Sequence, residues 1–115
     1  MAIIALDIPY PPSVNHYWHA RGNRRFIGKK GVEFRLLVAE AAAESGIKLT
    51  GRVSIFLSMF PPDRRRRDLD NTLKAVLDAL QHAGCYDDDE QIDEIRVVRR
   101  EIIKGGRCKV VISPL

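Results

Sequence analysis

"PPDRRRRDLDNTLKAVLDAL", Pro61–Leu80, holds both the clearest helical pattern of the chain and its densest charge. Leu69, Leu73, Val76, Leu77 and Leu80 follow the i, i+4, i+7, i+8, i+11 spacing of one buried helical face. Asp68 or Asp70 can cap the N-terminus of that helix, and Gly84 ends it. Immediately upstream, "RVSIFLSMF" (Arg52–Phe60) alternates Val53, Ile55, Leu57 and Met59 with polar or flexible neighbours. That period of two predicts a strand, stopped by Pro61-Pro62. Downstream, "CYDDDEQID" is an acidic loop. Asp93–Ile103 and Arg107–Ile112 then alternate as strands around Gly105-Gly106, a hairpin-turn pair.

Further out, Ala2–Ile8 is short, isoleucine-rich and ends at Pro9, which predicts a first strand. Pro9–Phe26 opens with three prolines and predicts a long ordered loop with a small hairpin around Gly22-Asn23. Lys30–Ser45 is alanine-rich and precedes Gly46, a plausible C-cap, so it predicts a helix. Its Val32, Phe34, Leu36, Leu37 and Val38 do not keep to one stripe. A helix apolar on most sides is expected to be buried on most sides, in the core or in a subunit contact. The order strand, helix, strand, helix, strand, strand predicts an α/β fold. Residues 1–115 would form a single compact domain, with a mixed β-sheet of about four strands and two main helices. The helix crossovers permit parallel neighbours, and the last hairpin is expected to be antiparallel.

At 115 residues the chain fits one core, and its 45% hydrophobic content excludes wholesale disorder. Nineteen Lys and Arg against fifteen Asp and Glu give +4, a balance that favours anionic partners. Cys85 and Cys108, far apart in sequence, read as reduced thiols rather than a disulfide framework or zinc site. No apolar run approaches the roughly 18 residues of a membrane span. The N-terminal stretch lacks a basic leader, so the expected compartment is the cytoplasm.

Two acidic groups stand out, Asp68 with Asp70 and the run Asp87–Glu90. Carboxylates without histidine or thiolate partners suit a hard cation, Mg²⁺ or Mn²⁺, which can polarise a phosphoryl oxygen and activate water. Lys74, one turn beyond Asp70, could stabilise developing charge. Each feature also has a plainer structural reading: helix capping for the aspartates, an i, i+4 ion pair for Lys74, a solvated turn for the acidic loop. A shared site needs the acidic loop to fold back toward the helix start, because the helix alone separates its ends by some 20 Å. Arg64, Arg65, Arg66 and Arg67 abut the acids, and guanidinium groups match phosphate through paired donors. Arg21, Arg24, Arg25, Lys29 and Lys30 form a second basic cluster. Two basic segments around carboxylates fit a nuclease better than a phosphatase for small substrates.

"PPDRRRRDLDNTLKAVLDAL" followed by "AGCYDDDEQI" resembles the signature of the RusA-type Holliday-junction resolvases, the crossover junction endodeoxyribonucleases of bacteria and their prophages. "PYPPSVNHYW", with Asn15 and Tyr17, is similar to the family's N-terminal proline-asparagine-aromatic segment, and "KGGR" also matches. The resemblance implies a RusA-like fold and a homodimer that nicks four-way DNA junctions symmetrically with Mg²⁺, Mn²⁺ being a substitute. It implies no small-molecule cofactor and no membrane. By the same resemblance Asp68, Asp70 and Asp89 are the metal ligands, with Lys74 as a further catalytic residue. Gln91 sets the register in favour of Asp89, and Asp88 is the fallback. Asn15 and Tyr17 join the arginines and lysines on the DNA-binding side. Asp87 and Glu90 are departures from the pattern that could alter metal affinity. The rival readings are a metal-dependent nucleotide phosphohydrolase and a non-catalytic junction- or duplex-binding protein.

Overall fold

The computed structural model describes residues 2–115. In chain order, β1 (Ile4–Ile8) is followed by the single turn α1 (Val14–Tyr17), then by the hairpin strands β2 (Trp18–Arg21) and β3 (Arg24–Ile27). The long helix α2 (Lys29–Ser45) and β4 (Val53–Phe60) come next. A 3₁₀ turn (Leu69–Thr72) leads into α3 (Leu73–His82), and β5 (Ile92–Arg99) and β6 (Arg107–Pro114) complete the chain. The main sheet has the order β1-β6-β4-β5, mixed as expected.

The two final strands correct the hairpin reading. β5 and β6 are not partners: β4 lies between them, parallel to β5 and antiparallel to β6. After Arg99 the backbone hooks over the end of β4, where Arg100 N donates to Met59 O (2.8 Å) and Ile103 N to Pro61 O (3.0 Å). Those bonds end β5 at Arg99 rather than Ile103 and carry the chain across to the other side of β4. The reversal at Gly105-Gly106 is real, with both glycines at positive φ, but it closes a crossover loop. A Cβ at Gly106 would lie 2.7 Å from Tyr10 Cβ, so this position admits only glycine without strain.

β4 is buried at every second residue, and its Val53, Ile55, Leu57 and Met59 meet Ile4, Leu6 and Ile8 of β1 and Val110 and Ile112 of β6 in one core. α2 and α3 cover this face through Phe34, Val38, Val76 and Leu80. α2 departs from the expectation of burial on most sides. Val32, Leu36 and Leu37 are 44%, 61% and 46% exposed, so within one chain the helix buries a single face. The hairpin predicted at Gly22-Asn23 is present, with Gly22 at φ +63. Cys85 and Cys108 are free and buried, and burial pushes their thiols up to about 11 and about 12.

Candidate functional site

The helix of the opening stretch begins as a 3₁₀ turn, which places Asp68 at its N-cap and Asp70 in its first turn. Asp68 makes no side-chain capping bond there. Among the described residues neither Asp68 nor Asp70 enters a salt bridge. The capping explanation for these acids therefore lacks its hydrogen bond. Both residues are exposed, ahead of Lys74 on α3.

The acidic loop is held tightly. Gln91 is buried and uses its whole amide: Oε1 accepts from Asp87 N (2.8 Å) and Asp88 N (3.1 Å), while Nε2 donates to Leu49 O (3.1 Å) and Gly51 O (2.8 Å). Asp88 caps a short 3₁₀ turn (Asp89–Gln91) by accepting from Glu90 N at 2.9 Å. Asp87 pairs with Lys48, and Glu90 pairs with Arg52 at 3.0 Å. Three of the four acids thus have partners of their own.

Asp89 differs. Its backbone N–H donates to Gln81 Oε1 of α3 at 3.1 Å, and its carboxylate leans toward the buried Tyr86. Partial burial pushes the Asp89 carboxyl up, as do the neighbouring Asp78 and Asp88 carboxylates, while the Tyr86 hydroxyl and the Lys74 ammonium pull it down. The loop has folded back onto the flank of α3 that carries Lys74, Asp78 and Gln81. Behind it, Asp78 Oδ2 accepts from Arg35 Nη2 (2.7 Å) and Nε (3.0 Å) and from the Tyr17 hydroxyl.

Asp68, Asp70 and Asp89 offer oxygen donors of the kind a hard divalent ion takes. Among the described residues, however, no three acidic, histidine or cysteine side chains stand close enough to hold one ion. The groups that act on the Asp89 carboxyl are Tyr86, Asp78, Asp88 and Lys74.

Most of the basic residues lie on the surface. Arg64, Arg65 and Arg66 are exposed, whereas Arg67 bonds Asp63 at 2.7 Å and stacks 5.7 Å from the Tyr10 ring centroid. Arg21, Arg24 and Arg25 line a cavity beside Phe26 in the hairpin, and Arg25 stacks on Trp18. Lys29 and Lys30 open α2, and Asn15 is exposed in α1. Tyr17 is the correction to this set. It is 0% exposed with its hydroxyl committed to Asp78, so it packs the core instead of facing DNA. The resemblance implies a DNA contact for Tyr17, but its ring packs where α1, α2 and α3 meet.

Several residues joined to this region were not singled out from the sequence. His16 bonds Ser13 at 3.1 Å and lines, with Asp68, Asn71, Arg65 and Arg66, a cavity of about 360 Å³. Arg99 and Arg100 approach the arginine run from β5, and Arg99 Nη2 donates to Arg67 O at 2.5 Å. The doublet Arg99-Arg100 was visible as charge at a strand end, but nothing in the sequence ties it to a loop thirty residues away.

Relatives match this chain over nearly its whole length. A Crossover junction endodeoxyribonuclease rusA of Enterobacteria phage HK97 is 44% identical over 110 residues, 94% of this chain and 92% of that protein. One from Enterobacteria phage 82 is 40% identical, covering 96% of this chain and 93% of that protein. A Crossover junction endodeoxyribonuclease RusA of Shigella sonnei (strain Ss046) is 36% identical across 100% of this chain and 98% of its own length. The family described as Endodeoxyribonuclease RusA matches residues 9–113, which span both basic segments, the Asp68-Asp70 pair and the acidic loop, and the chain belongs to that family.

Proposed function

We propose that the protein is a structure-specific endodeoxyribonuclease that resolves four-way (Holliday) DNA junctions by paired symmetric nicks, serving DNA recombination and repair in the cytoplasm. The observation that carries this reading is the extent of the family match: residues 9–113 include every residue assigned a role here. Among the described residues no helix is long and apolar enough to cross a membrane.

To hold Mg²⁺, with Mn²⁺ as a substitute, Asp68, Asp70 and Asp89 would have to draw closer together than they stand in this structure. Asp89 is favoured over Asp88, because Asp88 already caps the 3₁₀ turn while the Asp89 carboxylate enters no salt bridge among the described residues. When bound, such an ion supplies an activated water and offsets charge on the attacked phosphodiester. Lys74, whose ammonium helps pull the Asp89 carboxyl down, would stabilise the charge that develops on the phosphoryl oxygens. Arg65 and Arg66, which line one cavity with Asp68, would bind and orient the backbone there, while Arg64 lies outside that cavity and the hairpin cations Arg21, Arg24 and Arg25, with Lys29, Lys30 and Asn15, would add a further basic surface. The opposite signs serve each other, since acids without neighbouring cations would repel the substrate. Two subunits related by a two-fold axis would match the near-symmetry of a junction, one nick per subunit.

The test is incubation of purified protein with a labelled four-way junction, with and without Mg²⁺, alongside a nucleoside triphosphate. Symmetric nicking of the junction only with the ion is expected. Hydrolysis of the nucleotide in its place, or junction binding that never leads to cleavage, would overturn the assignment.

A further inference from the structure

The arginine loop is a wall with a groove on each side. In front it closes the cavity that contains Asp68, Asn71 and His16. Behind it lies a separate cavity of about 500 Å³ lined by Arg64, Arg65, Arg67, Arg99 and Arg100 together with Ile102, and by the acids Asp63 and Glu101. Arg65 and Arg67 border both grooves. No acid assigned to the metal lines the rear one.

Two of the five rear arginines hold the wall itself. Arg67 grips Asp63 at 2.7 Å, and Arg99 donates to Arg67 O at 2.5 Å. The other three, Arg64, Arg65 and Arg100, are exposed and enter no salt bridge among the described residues. Forked donors gathered in a concave surface suit the oxygens of a phosphodiester.

We propose that the rear groove is a second phosphate-backbone site, occupied by a DNA arm other than the one presented to Asp68. It rests on the function proposed above and adds what that reading leaves open, namely how one subunit distinguishes a junction from a duplex. A linear duplex offers one continuous backbone and engages one side of the wall. A four-way junction sends arms in several directions from one point and reaches both sides. Arg64 and Arg100 are then specificity-determining residues for branched DNA, and Arg99 is a positioning residue that keeps the wall upright.

The test is the double variant Arg64→Ala/Arg100→Ala, which spares Arg67 and Arg99. Affinity is measured in EDTA, so that no cleavage intervenes, for a four-way junction and for a linear duplex of the same arm sequence, across a range of salt. For the junction, the slope of log affinity against log salt should fall by about 1.8, since each lost phosphate contact removes about 0.9. The duplex slope should stay as in the wild type, so the preference for the junction shrinks. Equal losses on both substrates, or no loss on the junction, would overturn the second site. A wild-type protein with no preference for the junction would overturn the functional reading instead, and this site with it.

Discussion

The two charged loops at the site are built in opposite ways. The acidic loop is anchored from inside: Gln91, one of two buried polar residues recorded in the described chain, satisfies four backbone groups at once and fixes Asp87–Gln91 against the segment before β4. The arginine loop is anchored at the surface, through Asp63, the Arg99 guanidinium and the Tyr10 ring. On the function proposed above, the contrast follows from what each charge would have to do. Metal ligands and the groups that orient them tolerate little positional error, and buried hydrogen bonds supply that rigidity. Contact with a polyanion is long-ranged and works with mobile side chains. A rigid acidic loop beside adaptable cations is, on that function, the physical division of labour in this molecule.

The largest effect should come from an acid. Asp70→Asn keeps the shape of the side chain and removes its charge. Even indirect partners of metal ligands cost about 10–100-fold when replaced, so cleavage should fall at least about 100-fold. Junction affinity, measured by gel shift, should hold or rise, because one charge that repels phosphate is gone. Comparable loss of binding would show that the acids are part of the fold and would break the contrast between the loops.

Gln91→Leu attacks the anchor. It strands the Leu49 and Gly51 carbonyls and the Asp87 and Asp88 amides, a loss of about 3 kcal/mol even if some find water. For a domain of this size the melting temperature should drop by about 10 °C or more. Below the melt, cleavage should fall about 10–100-fold while junction affinity stays the same, because the displaced group is an acid and not a cation. A metal-binding readout separates positioning from simple instability: terbium luminescence sensitised by Tyr86 should weaken in the folded variant. Unchanged luminescence would confine Gln91 to stability.

Arg65→Ala/Arg66→Ala should leave the melting temperature nearly unchanged, within the roughly 0.5 kcal/mol usual for exposed sites. The salt slope of junction binding should fall by up to about 1.8. A large fall in stability would mean that the arginine loop is as rigidly integrated as the acidic one.

The smallest effect concerns the surface anchor of the arginine loop. The hydrogen bond from Arg67, helped by the Arg65 backbone N–H, lowers the Asp63 carboxyl from 3.8 to about 2. A folded-state value below the unfolded one stabilises the protein fully above about pH 4. That contribution is lost as pH falls through about 2. Melting curves of the wild type and Asp63→Asn should therefore differ slightly from pH 5 to 7 and converge near pH 2. A gap that widens as acid is added would reverse the sign and exclude the Arg67 pairing.

Local pattern was enough to mark β4, the helix at Leu73–Leu80, the early hairpin and the two charged clusters, because each is written in residues close together in sequence. The period of two along Val53–Met59 and the single apolar face of α3 specify element and orientation without a partner. Tertiary structure decided what spacing cannot encode. It set β4 between β5 and β6, since two backbone bonds from Arg100 and Ile103 lead the chain around the end of β4. It turned Tyr17 inward, where Asp78 and Arg35 meet its hydroxyl. It exposed one face of α2, since two helices on one side of a sheet need only one face each. It also brought Arg99 and Arg100 to the arginine loop and tied Asp89 to Gln81 of α3. Sequence determined which residues carry charge and which face inward locally. Which charges meet depended on long-range backbone pairing, whose information is spread over residues thirty or more positions apart.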